Sequence, residues 1–183
     1  MKIGILLVGK VQPEVCTDLA EALPKIFPDT ACAVVEPALP VPVEAFVKAR
    51  SQYSSSVILK QVRLFAAGTS HFDRVLGVVD VDVFASGLNF VFGEAYSPGV
   101  AALISLWRLR PSFYGETGGA DAFAFRVFKE AVHELGHTLG LQHCQKATCV
   151  MHFSNAIVDT DKKESLFCQQ DYLQASLAIK HLR

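Results

Sequence analysis

The sequence predicts an α/β protein in which a twisted, mixed β-sheet packs on helices. Two observations carry that reading. In the first half, short runs of β-branched and aliphatic residues alternate with segments whose apolar residues recur every three or four positions. Three further β-rich runs then follow with turn signals between them, which suggests at least two more strands, some antiparallel. At 183 residues, 51% hydrophobic and 19% charged, the chain has the size of one domain and the apolar content for a real core.

Lys2–Val8 is the first strand, and residues 13–27 form a helix with Val15, Leu19, Leu23 and Ile26 on one face. Ala31–Leu39 is a second strand that ends in a loop at Pro40 and Pro42. Residues 54–67 set Val57, Leu59, Val62, Leu64 and Phe65 on a broad apolar face, and Gly68 stops that helix. The β-rich runs 74–84, 89–95 and 100–109, divided by Ser86-Gly87 and Ser97-Pro98-Gly99, supply those strands. A flexible connection at 115–119 leads to Asp121, placed to cap a helix over 121–139. Phe125, Phe128, Val132, Leu135 and Leu139 give that helix a buried stripe, and Gly140 ends it. A last helix is expected near residues 172–179. The layout is one domain, 1–183, with an N-terminal lobe of about 1–140, a C-terminal lobe of about 141–183 and a cleft between them.

Seventeen basic against eighteen acidic residues leave a net charge of -1, which gives no electrostatic reason to expect nucleic acid or a membrane surface. The apolar run after Lys2 is too short for a secretory signal, and no stretch reaches the roughly 18 apolar residues of a membrane span. A cytoplasmic monomer is the expectation. In that compartment five cysteines are metal ligands or small buried hydrophobes, not disulfide partners. Cys16 and Cys32 are read as buried, His71 and His181 as facing solvent, and Trp107 with the many phenylalanines as core.

The chemistry lies in His133-Glu134-Leu135-Gly136-His137. Imidazoles four residues apart project from one helix face and can grip one ion. Glu134, turned about 100° from His133, suits a general base beside the ion. Gly140 tolerates positive φ, so the chain can turn sharply there and return His143 as a third ligand. Three neutral imidazoles leave tetrahedral zinc one position for water, the arrangement of catalytic sites. Glu134 would take that water's proton and later protonate the leaving amine, which makes amide hydrolysis the reaction. The pattern HExxHxxGxxH should arise by chance in fewer than about one chain in ten thousand of this length.

That pattern, followed by Met151, resembles the metzincin peptidases, whose Met-turn places a thioether beneath the histidines. Cys144, Cys149 and Cys168 narrow the resemblance to archaemetzincins, with their pattern HExxHxxGxxHCx4CxMx17CxxC. The resemblance implies a metzincin-like zincin fold, a peptide or protein substrate and two zinc ions, the second a structural one held by four cysteines. It also implies that the strand 100–109 could receive substrate by edge addition. Here 16 residues, not 17, separate Met151 from Cys168, and Asp171 stands in the place of the last cysteine. Asp171 is the preferred fourth ligand, while His152, water, or a helix-capping role for Asp171 are the alternatives. Ser154 and Asn155 are candidates for shaping a side-chain pocket. The rival functions are a two-zinc protein that binds peptides without cutting them and a zinc amidase for small molecules.

Overall fold

The structure, a computed structural model, describes residues 1–117 and 119–182. Gly118, within the expected connection at 115–119, lies outside them. The three longest apolar runs become the middle of the main sheet, because strands buried on both faces read as nearly continuous hydrophobic segments. These are β1 (Lys2–Val8), β5 (Arg74–Val79) and β8 (Ala101–Ser105). With β2 (Ala31–Leu39) and β7 (Gly93–Ala95) they make a five-stranded sheet in the order β2-β1-β5-β8-β7, parallel except for β7. β2 runs through Pro37, which an edge strand tolerates because one side of it needs no ladder donor.

Strand alternation divides the core in two. Ile3, Ile5, Leu76, Val78, Ala102 and Ile104 face α1 (Pro13–Ala22), α3 (Ala120–Thr138) and the C-terminal segment. Leu6, Val8, Val75, Val79, Ala101 and Leu103 face α2 (Ser55–Ala67). α2 stops at Gly68 as expected. α1 is shorter than predicted: Pro24 cannot donate to the helical ladder, and the chain tightens into a 3-10 turn at Leu23–Lys25.

Several other expectations are corrected. The run 74–84 breaks after Val79, because Asp80 and Asp82 turn aside to pair with Arg110 at 2.5 Å and Arg108 at 2.6 Å. Its end, β6 (Val83–Phe84), joins β3 (Phe46–Val47) and β4 (Gln52–Ser54) in a small sheet that the sequence reading missed. The strand in 100–109 ends at Ser105 and lies between β5 and β7, so it has no free edge for a substrate; β7 is the edge. Asp121 sits in the first turn of α3 without capping it, the cap position being Gly119. Phe125 is 62% exposed and leaves the stripe, which keeps Val132, Leu135 and Leu139, has Phe128 half-buried beside it and adds Val127 and Ala131. Trp107 is 45% exposed, so it is not core. After Gly140 the chain adds α4 (Ile157–Lys162), which was not foreseen, and α5 (Gln169–Lys180). No helix among the described residues is long and apolar enough to cross a membrane.

Candidate metal centre

Helical spacing stacks His133 and His137 one turn apart on α3, with their Nε2 atoms 3.1 Å apart. His133 Nδ1 donates to the Val150 carbonyl and His137 Nδ1 to the Leu141 carbonyl, each at 2.8 Å. A carbonyl can only accept, so each Nδ1 carries the proton and each Nε2 presents a bare lone pair. Two such lone pairs cannot hydrogen-bond to each other, and a shared cation relieves their opposition. Gly140 takes φ +89°, the conformation the turn requires, and the chain comes back to place His143 over the pair, its ring 4.9 Å from that of His137 and 5.4 Å from that of His133. One nitrogen from each imidazole falls within 4.8 Å of the others. The nitrogens of a tetrahedral zinc site, bonded at ~2.0–2.1 Å, lie about 3.3 Å apart, so the group fits the ion with small adjustments.

Burial lowers the pKa of His133 well below its ordinary value, helped by the positive charge of Lys163, and lowers those of His137 and His143 too. Imidazoles kept neutral are in their ligating form. Burial and then the neighbouring Glu130 carboxylate push the Glu134 carboxyl well above its usual range. Such a carboxylate takes up a proton readily.

Two glycines make this packing possible. A Cβ on Gly93 of β7 would lie 2.5 Å from Glu134 Cγ and 2.7 Å from the Leu103 carbonyl oxygen. A Cβ on Gly136 would lie 2.5 Å from the sulfur of Met151, which is fully buried against α3. Neither glycine stood out in the sequence reading: only the fold shows which side chain comes close. Also missed were the Val150 and Leu141 carbonyls, Phe153, whose ring lies 4.8 Å from that of His143, and the buried pair Lys163–Glu130 at 3.3 Å. Thr160 Oγ1 also donates to Glu130, so the charge on α3 is matched from α4 and its end.

A second cluster forms where the cysteines meet α5. Cys144 and Cys168 sulfurs are 3.9 Å apart, and the thiols of Cys149 and Cys168 donate to Asp171 Oδ2 at 3.0 and 3.2 Å. The four ligating atoms lie within 4.8 Å of one another. Bonds of ~2.3 Å put sulfurs about 3.8 Å apart around tetrahedral zinc, close to the spacing here. Burial, then Asp171, pushes the Cys149 thiol up to about 12, and burial raises Cys144. His152 is not one of the four grouped residues, and its Nδ1 donates to the Cys144 carbonyl at 2.8 Å. Cys16 is buried and Cys32 half-buried, each pushed to about 11 chiefly by burial, and all five cysteines are free. His71 and His181 are exposed.

The histidines line a cleft of about 480 Å³ together with the strand leading into β7 and with Phe153, Ser154 and Asn155. The model of peptidase family M54 matches residues 36–174. This chain belongs to that family. The M54 assignment agrees with the archaemetzincin of Methanocaldococcus jannaschii, 43% identical over 170 residues, 93% of this chain and 90% of that one. The archaemetzincin of Pyrococcus furiosus is 38% identical over 169 residues, 90% and 87% of the two chains. Among solved structures, archaemetzincin from Methanopyrus kandleri superposes with a TM-score of 0.84 at 31% identity, covering 98% of this chain and 96% of that one. The one from Archaeoglobus fulgidus, complexed with malonate, gives 0.81 at 38% identity, covering 95% and 99%. The M54 chain is thus a zinc metallopeptidase with the archaemetzincin fold, a hydrolase whose substrates are peptides or proteins.

Proposed function

We propose that the chain cuts extended peptides laid against β7, with zinc held by His133, His137 and His143 and with Glu134 as general base and general acid. The observation that carries this reading is the pair of bare Nε2 atoms 3.1 Å apart, with the buried Glu134 carboxyl against Gly93 of β7 in the same cleft. Zinc held there supplies a Lewis acid that polarises the scissile carbonyl and acidifies water. Glu134 takes the proton of the attacking water and returns it to the leaving amine. β7 pairs with β8 on one side only, so its outer edge offers main-chain donors and acceptors to a substrate strand. Ser56 on α2 holds that strand through a 2.8 Å hydrogen bond to Glu94. Met151 supplies the apolar floor, which makes the site a metzincin centre with its Met-turn. Phe153, Ser154 and Asn155 line the same cleft and shape a side-chain pocket.

A second zinc, structural in role, is assigned to Cys144, Cys149, Cys168 and Asp171, giving two ions per chain; the sulfur spacing and the aim of Asp171 into the thiols support this. The lobes before and after about residue 140 make one domain, and the protein works as a cytoplasmic monomer, a setting that suits its five free cysteines. The test is a mass-spectrometric screen of a diverse peptide mixture with the zinc-loaded protein, run beside Glu134→Ala. Cleavage is expected from the first, and a loss of about 10²–10⁴-fold in the variant with histidine-bound zinc retained. Equal cleavage by both removes Glu134 from the mechanism. No cleavage by either, with zinc bound in both, supports a peptide-binding role.

A further inference from the structure

Between α3 and α4 the chain runs from residue 141 to 156 without a helix or strand, and within this stretch lie both His143 and the main-chain acceptor of His133. The Val150 carbonyl that fixes the His133 ring belongs to the residue after Cys149, whose thiol bonds to Asp171. On its other side the Val150 N–H donates to the Leu166 carbonyl at 3.0 Å, two residues before Cys168. Cys144, bonded in the chain to His143, donates its N–H to the Met151 carbonyl at 2.9 Å and accepts from His152 through its own carbonyl. Met151 in turn packs on Gly136, between the two helical histidines. The orientation of two of the three imidazoles is therefore set by a loop whose cross-links are these hydrogen bonds and the Cys144, Cys149, Cys168 and Asp171 cluster. His137 differs, for its Nδ1 partner is Leu141, at the end of its own helix.

From this arrangement we infer that the cysteine–aspartate cluster governs how tightly the histidine site holds zinc, with Cys149 and Asp171 acting as positioning residues through the Val150 carbonyl. The inference rests on the two-zinc reading above. Without metal, the cluster ties the loop through two thiols on one carboxylate and one sulfur–sulfur contact. A metal ion in their midst draws all four side chains to one point, and with them the peptide between Cys149 and Met151. A ligand at one site that narrows the geometry of the other must raise its affinity, and the effect is mutual. Partners that orient ligating histidines are worth about 10–100-fold in metal affinity, which sets the expected size.

Zinc is removed from the folded protein with a competing chelator while a thiol reagent reports on the cysteines and zinc analysis reports on the whole. Asp171→Ala is expected to weaken the histidine-held zinc about tenfold or more, whereas Asp171→Cys should hold it at least as tightly as the original. Val62→Ala, a core change on α2 in the cluster on the other face of the sheet, should lower the melting temperature and leave that affinity unchanged. If Asp171→Ala does not fold, the half-buried Cys168 takes its place as Cys168→Ser. Unchanged affinity in the folded cluster variant, or an equal loss in Val62→Ala, overturns the coupling. A zinc content in His133→Ala no lower than that of the wild type refutes the zinc assignment instead, which keeps the two failures apart.

Discussion

Burial decides how the residues of the cleft hold their protons, and that gives a pH dependence with a definite sign. The imidazoles of His133, His137 and His143 bind protons less readily in the fold than in the unfolded chain, where histidine titrates near its ordinary 6.5. Below that pH the unfolded chain takes up protons that the folded one refuses, so the metal-free protein loses stability as the pH falls from about 7 through the lowered folded values. Glu134, raised by burial, works in the opposite sense: its contribution is present at low pH and fades as the pH rises through its folded value. The measurement is therefore made in Glu134→Gln, by denaturant unfolding without metal at about pH 7.5 and 5.5. A midpoint no lower at the acid pH would mean that the imidazoles are charged inside the fold. At this scale the sequence was legible where a side chain's role follows from its neighbours in the chain. Gly140 is the plain case, since the turn needed to return His143 demanded positive φ and the residue adopts it. Phe125 went the other way: its spacing matched the buried stripe, but at the start of α3 it is 62% exposed, beside the open hollow it lines with Asp161 and Leu166.

Among the elements, the contact between β7 and α3 is the most demanding, because Gly93 gives the Glu134 side chain its room. Gly93→Ala sets a methyl group against both Glu134 and the backbone oxygen of Leu103, and backbone cannot swing aside as a side-chain tip can. The variant should lose about 1–3 kcal/mol of stability by overpacking, and its kcat/KM should fall by about tenfold or more as Glu134 is displaced. Kinetics beside a thermal melt check both; full activity with an unchanged melt would show that β7 yields at no cost. Long strands buried on two faces were easy to read. β3, β4 and β6 were not, since two or three residues cannot display a period of two, and the six residues of α4 cannot display one of 3.6.

For the molecule as a whole, the segment after Gly140 contributes Leu141, Val150, Met151, Ile157, Ala175 and Ile179 to the core under α1 and α3, yet much of it has no regular structure. Metal should hold it in place. The purified protein is expected to carry two zinc ions per chain, and their removal should lower the melting temperature, with recovery when zinc is restored. Elemental analysis and calorimetry decide this; a melt indifferent to chelator would place the stability in the apolar core alone. Local pattern was enough to give the pairing of His133 with His137, the turn at Gly140, the proximity of Cys144 to His143 along the chain and the existence of the central strands. All of these follow from the period of a helix, from a run of β-branched residues, or from adjacency in the chain. Tertiary structure alone decided that β7 and not β8 is the edge strand beside the cleft, that the Val150 carbonyl holds His133, that Lys163 meets Glu130 in the interior, and that Asp171 reaches three thiols while His152 turns to the backbone. Most of these contacts join residues far apart in the chain, and which of many compatible partners meet is settled only when the layers pack and each buried polar group must find its own.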